Sequence, residues 1–253
     1  MSGIEITRAP AADVAYGLLA RVDLGADAAN LYGGGGEPPW AGPLRLAYRA
    51  APGRLSLQVV GLWHADLASL RAALRQGVAG LRDPDGRRLA SAFGDAVDRF
   101  GGGLVSDPVV HARRRETFEA AVGEDLRRLH AASWTHADAA PPLRLVDCPA
   151  LGPAGRATWD GDVHVVAVSL ARAPVDALIQ AVHEQIHAVT DPPASQMTGR
   201  ATEADAEGYV VHAQIEDAAI DFGRDLIARV TPHHLAAYTR WVDRVGGGAT
   251  SRS

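Results

Sequence analysis

Apolar residues along this chain recur mostly three or four positions apart. That spacing predicts helices over 11–22, 65–77, 86–99, 108–131, 174–189, 201–221 and 232–245. A period of two takes over in the middle, predicting strands over 143–147, 155–159 and 162–170. The last of these, Asp-Val-His-Val-Val-Ala-Val-Ser-Leu, is the most strand-like run in the sequence. Asp160-Gly161 before it is a favoured hairpin turn. Residues 44–63 are ambiguous: Leu44 to Tyr48 and Leu55 to Val60 alternate like strands around Pro52-Gly53. Gly33 to Pro39 reads as a flexible connector, because the lysine and Ser/Thr of a phosphate loop are missing. Trp134 to Pro142 reads as a polar linker, and Thr190-Asp191-Pro192-Pro193 stops the helix before it. The expected class is therefore α+β. A mainly helical N-terminal region (1–133) of unknown role precedes a core (142–245) built from a small sheet and more helices, and a disordered tail (246–253) follows.

Composition narrows the function classes. The 253 residues are 47% hydrophobic and 22% charged, the balance of a globular chain with a sizeable core. The net charge is −5, every cation is an arginine, and no basic block suggests nucleic acid. Cys148 is the sole cysteine, so neither an intramolecular disulfide nor a thiolate zinc cluster is available, and its apolar setting points to a structural thiol. No apolar run approaches the ~20 residues of a membrane span, and the N-terminal residues lack the pattern of a signal peptide. The expectation is a soluble cytoplasmic protein with neither nucleic-acid nor membrane partners.

Chemistry enters with His183-Glu184-Gln185-Ile186-His187, an HExxH motif inside a helical stretch. Residues four apart share a helix face, so both histidines can reach one zinc ion, with Glu184 beside them to act on water. Catalytic zinc takes three protein ligands and keeps one position open. The helix predicted over 201–221 offers Glu203 and Glu207, again four apart. One can bind the metal while the other accepts the second ring N–H of a ligand histidine.

HExxH followed by Glu-x-x-Ala-(Asp/Glu) resembles the gluzincin class of zinc metallopeptidases, over about residues 143–221. The resemblance implies a zincin-like core. Mapped residue by residue, it makes Glu203 the third ligand and Glu207 its support. A rival mapping makes Glu207 the ligand, since nineteen residues separate it from His187, as in thermolysin-like members. Gln180 departs from the valine or threonine common three residues before the first histidine. Metzincins fit worse, because Thr190 and Pro193 stand where their glycine and third histidine belong.

These residues lead to a zinc metallopeptidase that hydrolyses a peptide or protein, with Glu184 as general base. An oxyanion donor would come from Tyr209, His212, His233, His234 or Tyr238, and Tyr238 is the choice adopted. The strand over 162–170 could pair with an extended peptide. The helical N-terminal region could dock a regulatory partner. The alternatives are a zinc hydrolase acting on a non-peptide amide, and a non-enzymatic helical interaction protein with an incidental HExxH.

Overall fold

A computed structural model describes residues 3–22, 38, 40–54, 56–134, 140–190 and 206–250, with side chains described over 206–250 only from 214 to 244. The class is α+β, mostly helix around one small mixed sheet. The sheet has four strands in the order β1-β2-β4-β3: β1 Ile4–Arg8, β2 Leu143–Asp147, β3 Arg156–Asp160 and β4 Val163–Val168. β1, β2 and β4 run parallel, with Ile4 opposite Leu143 and Leu143 opposite His164. β3 and β4 form an antiparallel hairpin with Trp159 opposite His164. Its turn is Asp160-Gly161-Asp162, where Gly161 takes a φ of +63°, a left-handed conformation that costs glycine nothing.

The helices are α1 Pro10–Leu19, α2 Ala41–Ala50, α3 Ser56–Val60, α4 Leu67–Gln76, α5 Pro84–Phe100, α6 Pro108–Ser133, α7 Pro174–Thr190, α8 Ala206–Val230 and α9 Leu235–Thr250. Aspartates start three of them. Asp66, Asp83 and Asp107 accept backbone N–H bonds from the first turns of α4, α5 and α6, replacing partners a helix end cannot supply itself. Proline at the first position of α5 and α6 removes one of those orphan donors.

Side-chain alternation along the strands divides the core in two. Val146, Val165 and Ala167 pack with α1–α5 on one face. Leu143, Leu145, Val166 and Val168 pack with α6–α9 on the other. Full burial of a valine or leucine side chain contributes about 1.5–3 kcal/mol, so both layers are anchored to the same strands through alternate residues. α7 lies in the second layer against β4, β3, α6, α8 and α9. It is buried on nearly every side, from Ala177 through Ile186, as expected of an apolar helix at the centre of a layer.

Several elements depart from the sequence expectation. Residues 41–50 and 56–60 are helical, not strands. Ala41, Leu44 and Tyr48 are the buried positions of α2, a helical spacing, while Leu46, which completed the alternation, is 67% exposed. Ile4–Arg8 is a strand that sequence reading passed over, and it pairs with β2 along its whole length. The division at residue 133 consequently does not divide the packing: β1 belongs to the sheet, and Phe118, Val122, Leu126 and Leu129 of α6 share a core with α7. β4 is paired on both sides, so among the described residues the edge strand beside α7 is β3, not the strand over 162–170. α8 runs to Val230 rather than ending at 221. α9 continues through Gly246–Gly248 to Thr250, where a tail was expected, since extending a docked helix avoids the cost of nucleating one.

Cys148 is fully buried, and burial, with Asp13 and Asp147 nearby, pushes its thiol well up, leaving an inert packing residue. No helix among the described residues is long and apolar enough to cross a membrane. The connector over Gly33–Pro39 falls outside the described residues except for Pro38, as do residues 135–139 of the linker.

Candidate metal centre

α7 presents His183 and His187 one turn apart toward α8. His183 is 4% exposed, its ring lying 4.7 Å from the indole of Trp241 on α9. The carboxylate facing the pair comes from Glu216 on α8. Glu216 is in phase with the buried stripe of that helix, which continues through Ala219, Gly223, Leu226 and Ile227.

The three side chains meet closely. His183 Nε2 lies 3.1 Å from Glu216 Oε2 and 3.2 Å from His187 Nε2, and His187 Nε2 lies 3.6 Å from Glu216 Oε1. Ligand atoms of a tetrahedral zinc, bound at about 2.0–2.1 Å, stand about 3.3 Å apart. The observed spacings bracket that value. Two imidazole nitrogens facing each other this closely are satisfied either by one donating to the other or by both directing lone pairs at a cation between them. A carboxylate converging on the same point supplies the charge a divalent ion needs. The donor set, two nitrogens and one carboxylate, suits zinc. The buried His183 Nδ1 has no hydrogen-bond partner among the described residues.

Glu184, one residue on, turns toward the edge strand. Its Oε1 accepts from Gln180 Nε2 at 2.8 Å, and Gln180 Oε1 accepts from Trp241 Nε1 at 3.1 Å. The indole can only donate, so the amide must turn its oxygen to Trp241 and its NH2 to the carboxylate. Trp241 thereby packs on one histidine and, through Gln180, orients the neighbouring glutamate. On the other side Glu184 lies against the backbone entering β3. A Cβ on Gly155 would stand 2.4 Å from Glu184 Cγ, so only glycine leaves the carboxylate room.

The remaining motif residues tie α7 down. Gln185 Nε2 donates to Ser133 Oγ at 2.9 Å, and Gln185 Oε1 is 2.9 Å from His130 Nδ1. His130 Nε2 donates in turn to the Pro141 carbonyl at 2.8 Å. Ile186 is fully buried. The two middle positions of HExxH thus fix the helix against α6 and the core while the two histidines face Glu216.

Of the expected residues, the structure brings His183 and His187 together, with Glu216, while the Glu184 side chain, next along α7, meets Gln180 and the backbone at Gly155. Glu203 falls outside the described residues. Glu207 lies on the backbone of α8, with its side chain outside them, as do the side chains of Tyr209 and His212. Tyr238, expected to stabilise an oxyanion, is a packing residue: it is fully buried, its hydroxyl donates to the Ile220 carbonyl at 2.9 Å, and burial pushes its phenol up. His233 and His234 turn away to Asp125. Sequence reading missed Glu216, Gln180 as a partner of Glu184, and Trp241. A signal for Glu216 existed, an acid on the apolar stripe of its helix. No family model, no curated protein and no solved structure matches this chain.

Proposed function

We propose that the chain is a zinc-dependent metallopeptidase, with His183, His187 and Glu216 as the metal ligands and Glu184 as the general base. The observation that carries this reading is the convergence of the three side chains, with the two imidazole nitrogens 3.2 Å apart and the Glu216 carboxylate within 3.1 Å of one and 3.6 Å of the other, and with Glu184 on the next position of the same helix. Bound zinc would polarise a carbonyl and acidify water. Glu184 would accept the proton of the attacking water and return it to the leaving amine. Gln180 holds that carboxylate by one oxygen, leaving the other to the proton in transit.

A peptide is favoured over a small amide by β3. It is an edge strand, its N terminus touches Glu184 through Gly155, and an edge offers unpaired backbone groups to an extended chain. A peptide added there would run beside the general base.

The test begins with metal analysis of the purified chain, followed by cleavage of a peptide library and of small amides. Glu184→Gln is expected to retain zinc and lose turnover. Cleavage by Glu184→Gln at the wild-type rate would refute the mechanism. Turnover of small amides alone would move the activity to non-peptide substrates. Absence of stoichiometric zinc would leave an interaction protein with an incidental motif.

A further inference from the structure

A second convergence of donors lies where α6 meets the junction of α8 and α9. Asp125 on α6 meets His233 and His234, which occupy the short 3-10 turn Pro232–His234 between α8 and α9. His234 Nε2 is 3.0 Å and His233 Nε2 3.1 Å from the same oxygen, Asp125 Oδ2. The imidazole centroids are 4.1 Å apart. The other oxygen, Oδ1, faces Arg128 Nη1 at 3.6 Å, and Arg128 also donates to the Val230 carbonyl at 2.7 Å. Desolvation works against the Asp125 charge, but the contacts from His234 and His233 hold its carboxyl below the usual range.

Docking the turn onto α6 requires one such contact, and the buried His234 supplies it. His233 is different. Its side chain is 58% exposed, and water would satisfy it. Successive residues of a 3-10 turn point about 120° apart, yet the His233 ring folds over beside His234 and aims its nitrogen at the same oxygen. Two nitrogens and one carboxylate oxygen, all within 4.8 Å of one another and open to solvent on one side, are placed to act as three ligands of a cation with room for water. The carboxylate's second oxygen is held by an arginine, as ligand carboxylates usually are by a neighbour.

We propose that Asp125, His233 and His234 form a second site for a divalent metal ion, separate from the one on α7. Two imidazoles and one carboxylate select zinc, cobalt, nickel or copper over magnesium and calcium, which take oxygen ligands. The nearby guanidinium charge makes this the weaker of the two sites. Its occupant would tie α6 to the junction of α8 and α9, the helices that carry Glu216 and Trp241.

The experiment is equilibrium dialysis of the full chain against micromolar free zinc, followed by elemental analysis. Wild type is expected to hold two ions. Asp125→Asn, His233→Ala and His183→Ala should each hold one, and the His183→Ala/Asp125→Asn double variant none. His233 is exposed, so its replacement leaves the fold intact, which circular dichroism verifies. A magnesium control should give no uptake at this site. The proposal is overturned if Asp125→Asn and His233→Ala keep the wild-type count, if wild type holds one ion that His183→Ala abolishes, or if wild type takes up none. A single ion lost in Asp125→Asn but retained in His183→Ala upholds this site and sinks the metallopeptidase reading instead.

Discussion

Replacing Glu216 by glutamine removes a charge and almost no volume, which makes it the sharpest probe of the proposed metal centre. Glu216 contacts His183 at 3.1 Å and His187 at 3.6 Å, and its side chain is 31% exposed, so the change can be accommodated without collapse of the core. Apparent zinc-binding energies of four-ligand protein sites are roughly 10–16 kcal/mol. Shared over four ligands, that is about 2.5–4 kcal/mol each, equivalent to roughly a 70- to 1,000-fold loss of affinity. Competition against a chromophoric zinc chelator measures this directly. Glu216→Gln should weaken zinc by that range, whereas Glu203→Gln and Glu207→Gln should each change it by less than about tenfold, the low end for removal of an outer support. The result that would refute the reasoning is the reverse order, with Glu203→Gln or Glu207→Gln abolishing tight binding and Glu216→Gln leaving it unaltered.

Three further outcomes follow from the same geometry. Gln180→Leu should keep zinc but lower kcat about 10- to 100-fold, the usual cost of losing an orienting partner; an unchanged kcat would remove Gln180 from the machinery. Gly155→Ala puts a methyl group 2.4 Å from Glu184 Cγ. It should cost about 1–3 kcal/mol in urea unfolding and reduce turnover at constant zinc content, and a fully active, equally stable variant would contradict the close approach. Burial, with His130 nearby, lowers the His164 pKa to about 4, against 6.5 in an unfolded chain. Between these values the unfolded state takes up the proton and the folded state does not. Stability is therefore full above about pH 6.5 and declines as pH falls toward 4, by up to about 3 kcal/mol. His164→Phe should flatten that dependence in denaturant titrations, and an unaltered acid limb would show that another group controls it.

The α7 residues were legible because HExxH is a local pattern: a four-residue spacing on one helix dictates a shared face whatever surrounds it. The hairpin β3–β4 was legible for a similar reason, an Asp-Gly turn between alternating segments. Glu216 was not read because its approach to His183 and His187 is set by how α8 crosses α7, a tertiary fact, while family spacing drew attention to Glu203 and Glu207, whose side chains lie outside the described residues. The apolar stripe that contains Glu216 lay partly beyond the predicted end of the helix. Leu46 shows the opposite failure. An exposed leucine completed a false alternation, and the helix was hidden in the spacing of Ala41, Leu44 and Tyr48. Tyr238 was chosen for its chemistry, but the backbone of α8 claims its hydroxyl. β1 was overlooked because its partner β2 lies beyond α6 in the sequence, so no neighbouring turn or hairpin marks it.

That first strand has a consequence for the order of folding. Ile4–Arg8 pairs in parallel with Leu143–Asp147, so synthesis completes α1 through α6 before the partner of β1 exists. A contact of such sequence separation closes slowly. During translation the strand has only the nascent helices to shelter Ile4 and Ile6, while its unpaired edge stays open to other chains. Hydrogen exchange at those amides is expected to become protected last in refolding, after the helices of both layers have formed.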